Sequence, residues 1–290
     1  PHLPDGKFQK PMAMSCGEWL LRNRIRDKWK GARIVTIGRT AILTEPLKGR
    51  APCHYCGPCE QGCITKSYFS TLNSTLPAAQ ATGRLTLRPY SVVRCLTYDK
   101  NTNRVTGAQV VDGVSMQEYE FRAKLVFLCA STLESTRILL NSANPRYPNG
   151  LANSSGVLGH YLMDHLYGLR AKGDFPGLEQ YQDVARRPNG IYVPRFQNVK
   201  TKHPKFLRGY GFQGGSHRPG FKGAFQLPEL DSPMPSGFGV EFKEAMTDSG
   251  EWYASLSGFG ECLPYFENKV EINKNVVDKW GIPVLHISAD

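Results

Sequence analysis

Four of the chain's eight cysteines, Cys53, Cys56, Cys59 and Cys63, fall within one short stretch, CHYCGPCEQGC. Their spacing, C-x2-C-x2-C-x3-C, admits three chemistries. A disulfide framework is opposed by the other four, Cys16, Cys95, Cys129 and Cys262, which stand singly in apolar settings as buried free thiols do. Structural zinc usually joins two close cysteine pairs separated by a dozen or more residues, and there is no second pair here. An iron–sulfur cluster is larger than one ion, so a single tight loop can supply its ligands. The spacing matches the bacterial ferredoxin run, with Ile64 where proline usually follows. The fourth cysteine of that run serves the other cluster in two-cluster ferredoxins, so Cys63 is the ligand the pattern fixes least. Gly57 and Gly62 would let the backbone turn tightly and aim amides at sulfur. A cluster is the leading expectation, with zinc or a partly disulfide-bonded loop behind it and free thiols third.

Other reactive residue types carry weaker signals. His160 and His165 invite an active-site reading, and a packed loop histidine is the plainer one. Asp164 and His165 are adjacent, so their side chains diverge unless the chain turns, and no dyad is read from them. His54 and His217 are expected at the surface or behind other ligands, and Glu261 as a salt-bridged strand residue. No Gly-x-Ser-x-Gly elbow is present, which removes the footing for hydrolase chemistry. Aromatics gather at Phe206, Tyr210 and Phe212 and again from Trp252 to Phe266, with Gln213 and Arg218 nearby. Sugar sites pair aromatic faces with polar groups, although cores use aromatics more often.

The elements that would position these residues follow from periodicity. EWLLRNRIRDKWKG (18–31) reads as a basic amphipathic helix with Trp19, Leu20, Ile25 and Trp29 on its docked face. GARIVTIG (31–38) reads as a strand, and 67–83 as a helix closed by Gly83. Strands are expected over 84–99 and 104–113, then one or two over 118–131 that end in the apolar run Leu125–Cys129, which suits a strand buried on both faces. A helix over 132–142 follows directly, giving the strand–turn–helix grammar of a nucleotide-binding sheet. From 143 to 240, Gly, Pro, Asn, Ser and aromatics dominate, implying loops and strands. Residues 269–274 and 282–288 are good strands. GGSHRPG (214–220) is Gly-rich but has no strand-to-helix switch around it, so it is not a phosphate loop.

The 290 residues, 40% hydrophobic and 21% charged, suit one large globular domain or two smaller ones. No apolar run approaches the ~18 residues a membrane span needs. Net charge is +11, and the first fifty residues hold eleven Lys and Arg against four Asp and Glu. With no zinc-finger, helix-turn-helix or RNA-binding signature, a nucleic-acid partner is not expected. Both ends read as interior sequence, so a segment of a longer chain is expected, with no compartment legible.

Five stretches, in order, resemble the flavin-dependent glucose–methanol–choline (GMC) oxidoreductases, in particular the bacterial dehydrogenase-like branch near the pyranose and glucoside dehydrogenases. They are GRAPCHYCGPCEQGC (49–63), STLPAAQATGRLTLRPYSVV (74–93), AKLVFLCASTLESTRILLNS (123–142), NSSGVLGHYLMDH (153–165) and GFGECLPYFENKVEINKNVVDKWGIPVLHI (258–287). The resemblance implies an α/β chain: part of an FAD-binding Rossmann-like domain, with an α+β substrate domain on a mostly antiparallel sheet. Residues 1–50 would belong to the substrate or cap region, 51–165 to the FAD domain with its cysteine loop, and 166–290 to the substrate domain. It implies that Val93 contacts the FAD adenine through its main chain. It also implies that Cys129, Ala130 and Ser131 pass close to the cofactor, with Ser131 where the family has Gly. His160 replaces an Arg in the family's Gly-Arg-x-Leu-x-Asp-His. The family's Gly-x-Gly-x-x-Gly loop is absent from this sequence, and its catalytic His is expected beyond Asp290, so the segment alone is expected to be inactive.

The chemistry implied is oxidation of an alcohol group, of a sugar or glucoside, by hydride transfer to FAD. Electrons would pass to an external acceptor protein, through the cysteine cluster if one forms, which favours a dehydrogenase over an oxidase. The competing expectation is a non-catalytic module that holds a metal or cluster and docks to an electron-transfer partner.

Overall fold

The structure is a computed structural model, and it describes residues 5–57, 59, 61–182, 190–218, 238–247 and 250–289. In chain order the elements are α1 (Cys16–Lys28), β1 (Thr36–Ile37), a 3-10 turn (Thr71–Asn73), α2 (Thr75–Gln80), β2 (Ser91–Asp99), β3 (Arg104–Asp112), β4 (Glu118–Arg122) and α3 (Ser131–Asn141). These are followed by β5 (His165–Phe175), β6 (Ile191–Val193), β7 (Gly211–His217), α4 (Val240–Thr247), β8 (Trp252–Glu261), β9 (Lys269–Val277) and β10 (Pro283–Ser288). Every described strand pairing is antiparallel. The chain divides into two compact units, Pro1–Arg84 with His165–Glu261, and Leu85–Asp164 with Cys262–Asp290. The sequence reading divides at 50 and 165 instead; the cysteine loop lies in the first unit, and residues 262–290 lie in the second.

The first unit is built on a five-stranded sheet of order β1-β6-β7-β8-β5. Period-two alternation sends Ile191, Val193, Phe212 and Leu256 to one face, where α1 supplies Leu21 and Ile25. The docked stripe of α1 is therefore Glu18, Leu21 and Ile25, not the Trp19-centred face the sequence suggests, and Trp19 is 59% exposed. Glu18 sets this rotation. It closes a capping box with Ser15, and its other carboxylate oxygen accepts the Ser216 N–H at 3.4 Å, burying the side chain almost fully. A Cβ at Gly17 would strike the Ser216 hydroxyl, so only glycine allows this close approach of helix and strand.

The second unit holds a three-stranded sheet, β2-β3-β4, a hairpin, β9–β10, and α3. In β2 the register shifts between Val93 and Cys95, so Arg94 is the extra residue of a bulge. Beyond it, the Leu96 N–H donates to the Ser142 hydroxyl at 2.8 Å, which pins the end of α3 to β2. Leu96, Ile138 and Leu151 form the buried centre.

Two expectations are corrected here. The helix expected over 67–83 shortens to the 3-10 turn and α2, because Ser70 and Asn73 close a capping box on the turn and Ser74, at φ −140° and ψ −80°, breaks the helical path before α2. The apolar run Leu125–Cys129 joins no ladder among the described residues. Val126, Leu128 and Ala130 pack onto the Leu96–Ile138–Leu151 core, while Leu125 and Phe127 stand 74% and 83% exposed. The run is buried on one face only. Among the described residues, no helix is long and apolar enough to cross a membrane.

Candidate functional site

The cysteine loop does not gather. Among the described residues, no group of three or more His, Cys, Asp or Glu side chains is placed to hold a metal ion, and Cys56 is exposed while Cys53, Cys59 and Cys63 are half-buried. The loop is tied down at its ends: the Cys53 N–H donates to the Leu43 carbonyl at 2.9 Å and the Ala51 N–H to Thr65 at 3.1 Å. Arg50 bonds the carbonyls of Lys66 and Ser67 at 2.8 and 3.2 Å. Cys63 is the most developed thiol. Its sulfur lies 3.3 Å from the Ser67 hydroxyl and 3.4 Å from that of Thr65, and it accepts the Tyr68 N–H at 3.4 Å. Burial pushes this thiol up, and the hydrogen bonds outweigh it, so its pKa falls to about 7. Cys53 accepts one amide, from Tyr55, at 3.4 Å. The four side chains as they stand do not fit a metal ion or a cluster.

The turn into α3 is better formed. Val93 and Ala130 both pack onto the Leu96–Ile138–Leu151 core, which brings these two positions into one small cluster. Between them Cys129 is exposed, and Ser131 opens α3 at φ +64°. That left-handed conformation is the one glycine takes without cost, and serine takes it here under strain. Ala130 caps α3 with no side-chain hydrogen bond, so the first-turn N–H groups have no side-chain acceptor. The exposed Leu125 and Phe127 thus lead into a helix start that its N-cap side chain leaves open.

His160 is a packing residue. Its ring stacks on Phe266 with centroids 3.9 Å apart, and its Nδ1 lies 2.7 Å from the Phe266 carbonyl. Gly159, at φ +90°, lets the chain pass Val270, whose carbonyl a Cβ would strike. His165 starts β5 opposite Glu261, with its ring edge on Phe259. Arg218 is a structural knot that donates to the carbonyls of Gly250, Glu179 and Tyr181. GGSH (214–217) lies within β7. An open cavity of about 550 Å³ lies beside β2 and β3, lined by Thr86, Leu87, Arg88, Ser91, Val110 and Phe121. Its one cation, Arg88, is stacked on Tyr119 and paired with Asp112 at 3.3 Å.

The feature the sequence reading missed is the second face of the five-stranded sheet. Register places His217, Tyr253 and Asp174 in one row across β7, β8 and β5. Gly215, Ser255 and Lys172 form the next row. Tyr192, Gln213, Ser257 and Arg170 form a third, which reaches β6. The Tyr253 hydroxyl and His217 Nε2 are 2.6 Å apart, and burial pushes the Tyr253 pKa up. Lys172 Nζ sits 4.7 Å from the Tyr253 ring centre, and Arg170 donates to the Tyr167 hydroxyl at 3.2 Å. The signal lay in WYASLSGFGE, where every second residue from Tyr253 is polar or aromatic and the others are core.

With this geometry in view, residues 39–167 match the family model described as GMC oxidoreductase. That segment is similar to the GMC oxidoreductases. The chain is 28% identical over 249 residues to the 2-methyl-1,2-propanediol dehydrogenase of Mycolicibacterium austroafricanum, covering 86% of this chain and 44% of that protein. It is 29% identical over 253 residues to the fructose dehydrogenase large subunit of Gluconobacter japonicus, covering 85% and 43%. It is 25% identical over 247 residues to the gluconate 2-dehydrogenase flavoprotein of Pantoea cypripedii, covering 82% and 38%. The chain thus spans less than half the length of each of these relatives.

Proposed function

We propose that the protein containing this chain is an FAD-dependent dehydrogenase that oxidises an alcohol group of a sugar or polyol and passes the electrons to an external acceptor protein. The observation that carries this reading is the family match over 39–167 together with three relatives all named dehydrogenases. When bound, FAD supplies the hydride acceptor. Val93, Cys129, Ala130 and Ser131 would hold it in part, on a Rossmann-like element that includes 125–141. Ala130 and Val93 turn their side chains into the core, so their backbones are what the cofactor would meet, and the uncapped start of α3 offers N–H groups to its anionic part. Residues 51–165 are assigned mainly to the cofactor side, and 1–50 with 166–290 mainly to the substrate side. A cluster on Cys53, Cys56, Cys59 and Cys63 does not fit the side chains as they stand, so no electron step is routed through them.

The test is expression of the complete protein, followed by a flavin spectrum and reduction of an artificial acceptor with a panel of polyols and sugars. Flavin content and acceptor-dependent turnover of at least one alcohol are expected. Purified protein without flavin, or with flavin that no alcohol reduces, would overturn the reading.

A further inference from the structure

We infer that the first unit carries a docking face for an anionic lipid surface. It is made of the loop 195–208 and the end of α1, with Lys200, Lys202 and Lys205 meeting lipid phosphates and Val199 and Leu207 entering among the headgroups. This docking is separate from the oxidation proposed above and does not depend on it.

The positive charge of the chain is concentrated. Residues 6–39 hold nine Lys and Arg against Glu18 and Asp27, and residues 190–218 hold six with no Asp or Glu. The remainder holds 21 Lys and Arg against 23 Asp and Glu. The excess therefore belongs to two stretches and not to the chain at large. Of their two acids, Glu18 is buried against the Ser216 N–H, and Asp27 is paired with Arg26 at 3.0 Å.

The fold joins the two stretches. Leu21 and Ile25 of α1 pack on the same Val35–Ile191–Val193 core as Phe196. The Arg33 guanidinium then lies against two rings, 4.3 Å from the centre of Trp29 and 4.1 Å from that of Phe196. The end of α1 and the start of the loop thus form one surface.

The loop is built to present its side chains. The Asn198 amide donates to the carbonyls of Phe206 and Arg208 at 2.9 and 3.3 Å, and its oxygen accepts the His203 N–H at 2.6 Å. The His203 ring stacks on Phe206 with centroids 4.0 Å apart. Folded back in this way, the loop leaves Lys200, Lys202 and Lys205 exposed. Beside them Val199 is 57% and Leu207 76% exposed. Arg208 faces Glu261 at 3.5 Å, so its charge is not counted in the face.

The residue types decide what such a face fits. Lysine is almost never fully buried without a partner, so the loop is not a surface that a chain packs against itself. Protein interfaces are depleted in lysine and enriched in arginine, which grips carboxylates with a planar fork. A fluid layer of phosphates needs only point charges on flexible stems. Apolar side chains standing among those charges add the shallow insertion by which surface-bound segments hold a bilayer.

The experiment is flotation of the complete protein with vesicles of phosphatidylcholine, or of phosphatidylcholine and phosphatidylglycerol in equal parts. Wild type is compared with Lys200→Gln/Lys202→Gln/Lys205→Gln and with Val199→Ser/Leu207→Ser. Lys100→Gln/Lys124→Gln/Lys274→Gln serves as control, removing the same charge from exposed positions of the second unit. Far-UV circular dichroism confirms the fold of each. Wild type is expected to bind the mixed vesicles and not the neutral ones, with binding that weakens as salt is added. The loop lysine variant is expected to lose ~100-fold of its partitioning, because each lysine near an anionic surface contributes several-fold. The Val199/Leu207 variant is expected to lose ~10-fold, and the control to change little. Absence of binding to mixed vesicles overturns the inference, as does equal binding to both kinds. A control that loses as much as the loop lysine variant overturns it too, since charge would then be read from the whole chain. A Val199/Leu207 variant that binds like wild type would show a face that reads charge alone, and an acidic protein would replace lipid as its partner.

Discussion

At the scale of single residues, Ser131 and Cys63 are each held in a setting that its type does not prefer. Ser131 holds φ +64° at the start of α3, a conformation that costs an L-residue roughly 1–2 kcal/mol and glycine almost nothing. Ser131→Gly is expected to stabilise the folded protein by ~0.5–1 kcal/mol once the extra chain entropy of glycine is set against the relief, and Ser131→Val to destabilise it by a similar amount. Urea unfolding of the three proteins checks the order; a less stable glycine variant would mean that the serine side chain contributes something the strain argument omits. Cys63 is held near a pKa of about 7 by the donors around it. Because the thiolate is the nucleophile, its alkylation by iodoacetamide should rise with pH through about 7, well below the ordinary thiol range. Peptide mapping after brief labelling at several pH values reads this directly. Complete protection of Cys63 at every pH would mean that its sulfur is occupied in the protein as isolated.

At the scale of elements, α3 is fastened to the β9–β10 hairpin by Arg137, with Asn141 adding a bond to the Pro283 carbonyl at 3.4 Å. Arg137 bonds the Asp278 carboxylate at 2.7 Å and the carbonyls of Pro283 and Ile282 at 2.8 and 2.9 Å, with both charged groups mostly buried. Burial pushes the Asp278 carboxyl up, but the Arg137 bond and the N–H groups of Ile282 and Trp280 prevail and hold it below the usual carboxylate range. Arg137→Met is expected to cost about 2–3 kcal/mol, somewhat less than loss of a partner in a fully buried pair. The sign with pH follows from the lowered pKa. Asp278 contributes stability that is complete above its unfolded value of ~3.9 and is lost as pH falls through the lower folded value. The gap between wild type and Arg137→Met should therefore be full at pH ~6 and shrink below pH ~4, and denaturation series at both ends check it. These elements were also the legible ones. β3, α3, β9 and β10 declare themselves by period and by the turn residues between them. What was illegible depends on neighbours. Leu125–Cys129 reads as a strand buried on both sides because all its residues are apolar, yet only Val126, Leu128 and Ala130 find a core. Trp19 reads as a docked residue because it is large, but the buried carboxylate of Glu18 sets the rotation of α1. The polar face of the large sheet was illegible because its rows join residues from β5 to β8, and only register brings them together. The cysteine spacing was the loudest motif in the sequence, and the side chains around it do not converge.

At the scale of the whole molecule, the decisive fact is that neither compact unit is continuous. The second unit takes its three-stranded sheet and α3 from residues 85–164 and its hairpin from 262–290. The hairpin is not an accessory. It carries Asp278 and the carbonyls that satisfy Arg137, and Val270, against which Gly159 closes through a 2.8 Å bond from the Val270 N–H to its carbonyl. It also supplies Phe266 to the ring of His160 and the Asn268 carbonyl to the Leu162 N–H at 2.9 Å. Without it, Arg137 would keep only Glu134, at 3.3 Å, and lose Asp278 and two carbonyls, and residues 159–162 would lose their partners, at a cost comparable to the whole stability of a small domain. A protein of residues 85–164 alone is therefore expected to lack a cooperative unfolding transition. Joining Asp164 to Cys262 should restore one, because the Cys262 N–H already donates to the Asp164 carbonyl at 3.2 Å, so the two ends are adjacent and the join needs little or no linker. Thermal denaturation followed by circular dichroism separates the two proteins. A sharp transition in 85–164 alone would show that the sheet and α3 are self-sufficient and that the hairpin is only laid against them. No transition in the joined protein would show that the interleaving with the first unit is itself required for folding.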